Sequence, residues 1–219
     1  MHEFLDNLAV YREAIRQTLF IVSISVVAGG ALGLVLGLVL YATRAGNLFA
    51  NRAAFLIVNV LVNVVRPIPF VIFLTAIQPL MLHTIGTTIG TNAVTFALSL
   101  SAAFAISRIV EQNLLTVEPG VVEAARAAGA RPISILLTVL IPEALGPLIL
   151  GYTFIFVAVV DMSAQAGLFG GGGLGDFAIT YGSQRYNWPI VYISVATIVV
   201  LVQAGQFLGS WLARRALRR

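Results

Sequence analysis

The sequence predicts an all-α fold, a polytopic transmembrane helical bundle of about five spans. Three observations carry that expectation. Of 219 residues, 59% are hydrophobic and only 10% are charged, whereas a soluble domain carries about 25% charged residues. Mean hydropathy is +0.96. Residues 67–107 contain no Asp, Glu, Lys or Arg, so no water-facing surface can form from that stretch. Lipid must be the solvent for much of the chain.

The first 17 residues carry Glu3, Asp6, Arg12, Glu13 and Arg16 among Phe4, Leu5, Leu8, Tyr11 and Ile15 at helical spacing. That pattern predicts a short amphipathic helix over 1–17, lying along the membrane surface. The charge is wrong for a secretory signal, and the apolar run that follows is too long.

A helical span needs about 20 predominantly apolar residues, and five segments qualify. The first, 19–41, places Gly29, Gly33 and Gly37 on one face, a spacing that lets another helix approach closely. The second, 55–80, is interrupted by Arg66-Pro67-Ile68-Pro69. The third covers 92–109. The fourth, 145–168, contains Pro147, Gly151 and Asp161. The fifth, 188–212, has Trp188 and Trp211 separated by about 35 Å of helix, one for each interface. A polar connection of about 112–142 joins spans three and four, and 215–219 is a basic tail.

All 13 basic residues are arginine, and most lie at the ends of apolar runs. They form no single basic face, which argues against nucleic acid as a partner and for topology determinants. With the long connection cytoplasmic, Arg44, Arg52, Arg108, Arg126, Arg131, Arg214, Arg215, Arg218 and Arg219 lie inside. Only Arg12, Arg16 and Arg185 then lie outside. The N-terminus is expected outside and the C-terminus in the cytoplasm. The chain has no cysteine and two distant histidines, His2 and His83, so no metal site is expected. Without lysine it cannot form a P-loop; hydrolysis of ATP by this chain is excluded.

The cytoplasmic connection holds the most specific pattern. Pro119 can open a helix where no amide donor is needed. Small residues follow at Ala124, Ala125, Ala127 and Ala128. Gly129 is placed to end that helix in the left-handed conformation, and Pro132 prevents its continuation. Glu123 and Arg126 are spaced to pair, although Glu123 could equally meet a partner's cation. Glu123-Ala124-Ala125, then Gly129, then Val139-Leu140-Ile141-Pro142 resembles the EAA signature of ABC importer permeases. The spacing is kept; both aliphatic positions before the proline are altered conservatively.

Further elements are similar to the same family. Arg66-Pro67-Ile68-Pro69-Phe70 resembles an element of amino-acid importer permeases. Ser163-Ala164, Gly172-Gly173-Leu174-Gly175 and Tyr181-Gly182 resemble methionine-importer permeases. The resemblance covers about 18–214. It implies a type I ABC importer permease in the bacterial cytoplasmic membrane, importing methionine or a related amino acid. It implies that Glu123, Ala124, Ala125, Arg126, Gly129 and Pro142 belong to a coupling loop docked on an ATPase. It also implies two ATP-binding subunits, which hold ATP and magnesium, and an extracytoplasmic substrate-binding protein or lipoprotein. One unit offers too few helices for a gated path, so a second copy is expected.

Polar residues within the spans require a reason, because a charge at the bilayer centre costs about 2.5–3.5 kcal/mol on insertion scales. Arg66 either clamps carbonyls freed by Pro67 and Pro69 or lines the translocation path. Asp161, near Ser163 and Gln165, departs from the small residue usual in the resembled permeases. It is read as a path carboxylate, an interfacial group or a partner of Arg66. Gly172, Gly173 and Gly175 are expected in a flexible outer loop. An ion-coupled carrier or channel is the rival class; a permease for another amino acid, a peptide or a sulfonate is the rival cargo.

Overall fold

Four helices are each long and apolar enough to cross a bilayer in the computed structural model, which describes residues 7–217. They are α1 (Leu8–Thr43), α5 (Thr91–Leu115), α8 (Leu145–Ala166) and α10 (Trp188–Leu217). Between α1 and α5 lie α2 (Arg52–Val65), α3 (Phe70–Ala76) and α4 (Gln78–Ile85). The connection between α5 and α8 holds α6 (Pro119–Ala127) and α7 (Pro132–Glu143), and α9 (Gly173–Phe177) precedes α10. No strand occurs among the described residues.

Helix α5 is the centre of the bundle. In its most apolar window 61% of residues are buried, against 11% for α10. The α1–α5 seam is built on glycine. A methyl group on Gly29 would stand 2.5 Å from the Ser99 carbonyl oxygen. On Gly33 it would meet Ile106 Cβ at 2.6 Å, and on Gly37 Val110 Cβ at 2.5 Å. The expected close approach therefore exists, with α5 as the partner. Ser25 donates across the same seam to the Thr95 carbonyl at 3.3 Å. A second small-residue seam joins α10 to α8. A methyl on Gly205 would strike Phe156 at 2.2 Å, and one on Gly209 would strike Thr153 at 2.0 Å.

Two sequence expectations are corrected and one is refined. The segment 1–17 is not a separate surface helix over its described part, since residues 8–17 are the first turns of the 36-residue α1. Nothing between Tyr11 and Leu19 breaks a helix, and α1 is about 54 Å long against a hydrocarbon core of about 30 Å. Its charged N-terminal turns therefore extend beyond lipid; residues 1–6 lie outside the described residues. The interruption expected in the second span, 55–80, is present and sharp: α2 and α3 meet at 112°. Pro67 and Pro69 lack amide donors, and Pro69 has extended backbone (φ −55°, ψ 136°) where α3 begins. Spans three and five run further than expected, to Leu115 and Leu217. Residues 215–217 of the basic tail are thus the end of α10, with Arg215 placed over the Trp211 ring at 5.0 Å.

Gly33→Val tests the seam. Overpacking of this kind costs about 1–3 kcal/mol, so the purified variant is expected to unfold several degrees below the parent in a thermal melt. Gly120→Ala, where the added methyl meets nothing within 4 Å, is the matched control and should melt with the parent.

Candidate coupling surface and translocation path

Helix α6 is exposed because its sequence gives it almost nothing to bury. None of its residues is buried. Val122 and Ala125 rest partly covered on the main apolar cluster, while Glu123, Ala124, Arg126, Ala127 and Ala128 face outward. Pro119 occupies its first turn, where a missing amide costs nothing. At the other end Gly129 has φ +77°. Its amide donates to the Arg126 carbonyl at 2.9 Å, and Ala130 donates to Ala125 at 3.1 Å. These two bonds form a Schellman closure, which requires a left-handed residue at that point. The result is a short, smooth, well-terminated helix held away from the bundle.

Glu123 and Arg126 form no ion pair with each other, contrary to the pairing their spacing allowed. Both line a cleft of about 180 Å³ between α6 and the connection from α1 to α2, with Tyr41, Asn47 and Leu48 opposite. Both charges are left to face outward. Pro142 lies in the last turn of α7, directly after a π-helical stretch at Ile135–Leu140. A wider turn relieves the clash of a proline ring with the preceding carbonyl, which is how α7 continues across it.

The four candidate path residues do not share a surface. Asp161 and Gln165 are exposed on one face of α8, and the Gln165 amide donates to Asp161 Oδ2 at 3.0 Å. Ser163 is buried and donates to the Val160 carbonyl of its own helix at 2.7 Å, so it points away from that face. Arg66 is exposed at the α2–α3 break, and its side chain makes no hydrogen bond or ion pair among the described residues. Neither the carbonyl clamp nor an Arg66–Asp161 pair forms.

The glycine segment before α9 is docked on the bundle. Gly172 and Gly173 have φ of +74° and +82°. The Gly173 amide donates to Gln17 Oε1 and the Leu174 amide to Thr18 Oγ1, both at 2.8 Å. Two α1 side chains thereby supply the N-terminal acceptors that α9 lacks in its own sequence. A methyl on Gly175 would stand 2.1 Å from the Ala164 carbonyl oxygen. Leu174 and Phe177 are buried, and Phe177 stacks on Tyr181 at 5.3 Å. Glycine serves close packing in this conformation.

Sequence reasoning missed one charged cluster. Glu111, near the end of α5, is 1% exposed. Arg108 Nη1 donates to its Oε2, and Arg44 from the end of α1 lies 3.5 Å from its Oε1. That second contact has ion-pair range without hydrogen-bond geometry, so Oε1 accepts no hydrogen bond among the described residues. Arg108 Nη2 donates to Asn59 Oδ1 at 2.9 Å and to Asn63 Oδ1, both on α2. Removing one partner from a buried pair typically costs about 3–5 kcal/mol. The signal was present: Asn59 and Asn63, four apart on an otherwise apolar helix, and Glu111 one turn after Arg108.

Known proteins are similar over this whole arrangement. "Probable D-methionine transport system permease protein MetI" of Vibrio cholerae is 41% identical over 203 residues, spanning 93% of this chain and 90% of that protein. "Methionine import system permease protein MetP" of Bacillus subtilis is 35% identical over 78% of this chain and 77% of its own. The permease chain in the inward-facing structure of the MetNI methionine ABC transporter superposes with a TM-score of 0.92. It is 36% identical and covers 96% of this chain and 98% of its own length. The fold is that of a type I ABC importer permease. A family profile described as "binding-protein-dependent transport system inner membrane component" matches residues 29–218, and the chain belongs to that family.

Proposed function

We propose that this chain is the membrane-spanning half of an importer for methionine or a related amino acid, working as a homodimer. Two partner ATPases, which hold ATP and magnesium, act on its cytoplasmic face, and a substrate-binding protein delivers cargo from outside. The N-terminus lies outside and the C-terminus in the cytoplasm, in the sense favoured by the arginine distribution. The domain reading places one permease unit over 18–214 with its coupling loop at about 112–142. The observation that carries the proposal is α6: exposed alanines between an N-terminal proline and a left-handed glycine. Such a helix fits a groove on another protein and can be pushed as a rigid body. The methionine relatives support the cargo. Alternating exposure of the path then follows from unequal ATPase affinity for its two states.

Gly129→Pro tests the coupling role. Proline cannot adopt φ +77° and removes the amide bonded to Arg126. In vesicles reconstituted with ATPase and binding protein, uptake is expected to fall by about tenfold or more, a loss of about 1.4 kcal/mol in coupling, while ATP hydrolysis and membrane insertion persist. Uptake driven by an ion gradient without ATP would instead identify a carrier. Asp161→Asn keeps the group that meets Gln165 but removes the charge. An exposed ion pair is worth about 0.2–1 kcal/mol, so the half-saturating substrate concentration is expected to rise by about 1.4- to fivefold. Unchanged affinity and rate would remove Asp161 from the path.

A further inference from the structure

Coupling requires a route from α6 to the helices that shape the path. Among the longer described helices α2 is the least buried. Val62 is its one buried residue, packed in a small cluster with Leu40 and Phe104. Its polar attachment to α5 is Arg108, which reaches Asn59 and Asn63 with one nitrogen while the other holds Glu111. Asn63 also donates to Asn59 at 3.2 Å, so the two amides act as one acceptor unit.

The other end of this cluster leads to α6. Arg44 lies against Glu111 and begins the connection to α2. That connection is stiffened by Asn47 donating to the Tyr41 carbonyl at 2.6 Å and by Phe49 and Asn51 amides donating to Ala42 and Thr43, both at 2.9 Å. Its Leu48 rests on the apolar cluster that also supports Val122 and Ala125 of α6. On the far side a cleft of about 610 Å³, lined by Arg44, Arg52, Asn59, Arg108 and Glu111 among others, leaves the joint room to move.

We infer that Arg108 and Glu111 are positioning residues for transport: they form a joint that carries displacement of α6, through Arg44 and the α1–α2 connection, to α2 and the Arg66 break. Burial of Glu111 makes the Arg108 side of the joint stiff. The Arg44 side, at ion-pair distance without a hydrogen bond, is the contact free to tighten or part. The guanidinium fork is essential, because one side chain must serve a carboxylate and two amides at once. The inference rests on α6 being the coupling helix.

The test uses the complete transporter in vesicles, with uptake and ATP hydrolysis measured on the same preparation. Arg108→Lys retains charge toward Glu111 but cannot span both partners. It should lower substrate imported per ATP by about fivefold or more with the melting temperature of the complex within a few degrees of the parent. The double variant Asn59→Leu with Asn63→Leu, apolar on an apolar helix, should give the same uncoupling and serves if the lysine variant does not assemble. Spin labels on α2 and α6 should change separation on ATP binding in the parent and not in Arg108→Lys. Normal import per ATP in these variants while Gly129→Pro uncouples overturns the joint and leaves the coupling helix standing. Normal import by Gly129→Pro overturns the coupling helix and the joint with it.

Discussion

The close approach of α1 and α5 is the constraint on which the rest depends. In lipid no hydrophobic force drives one apolar helix onto another, so association depends on packing and on polar contacts. Three glycines at four-residue spacing let the α1 backbone lie against Ser99, Ile106 and Val110 with no room for a side chain. That contact sets the height of both helices. The height of α1 decides where Arg44 ends up, and the height of α5 decides where Glu111 and the start of α6 lie.

Two kinds of polar chemistry are distributed on this scaffold by cost. The one buried carboxylate among the described residues, Glu111, neutralises part of the Arg44 and Arg108 charge, whereas Arg66 and Asp161 are left exposed. Glu123 and Arg126 on α6, by contrast, stay at the surface without an ion pair. Backbone groups follow the same economy. The amides opening α9 find acceptors on α1, and the left-handed turn after α6 closes two of its carbonyls. Backbone exposed to lipid without a partner would cost several kcal/mol per group.

Much of this was legible in the sequence, for identifiable reasons. Long apolar runs fix helical spans, since lipid allows few alternatives. Pro119 and Gly129 fix the ends of α6, because proline and glycine act locally and in one way each. What was not legible depends on which distant residues meet. Gly172 and Gly173 look like loop glycines in isolation, and nothing local shows that Gln17 and Thr18 lie opposite to accept the Gly173 and Leu174 amides. Ser163 looked like a path residue, but helical rotation turns it to the bundle and leaves Asp161 and Gln165 outside. The 112° break at Arg66 could be suspected from its prolines, yet its angle is set by where Phe70 and Phe73 find a core. Glu111 resembled a span end and proved to be fully buried.

The dependence of α9 on α1 has a consequence for the order of assembly. Even with the π-helical and 3-10 turns that continue it to Arg185, so short a helix is marginal alone, since nucleation is unfavourable and few bonds repay it. Its first amides are satisfied by side chains 156 positions earlier in the chain. This segment therefore acquires its shape only after the first helix is inserted and α8 has brought the chain back to the same end of the bundle. It is a late tenant of a frame built during earlier synthesis, and its geometry records whether that frame closed correctly.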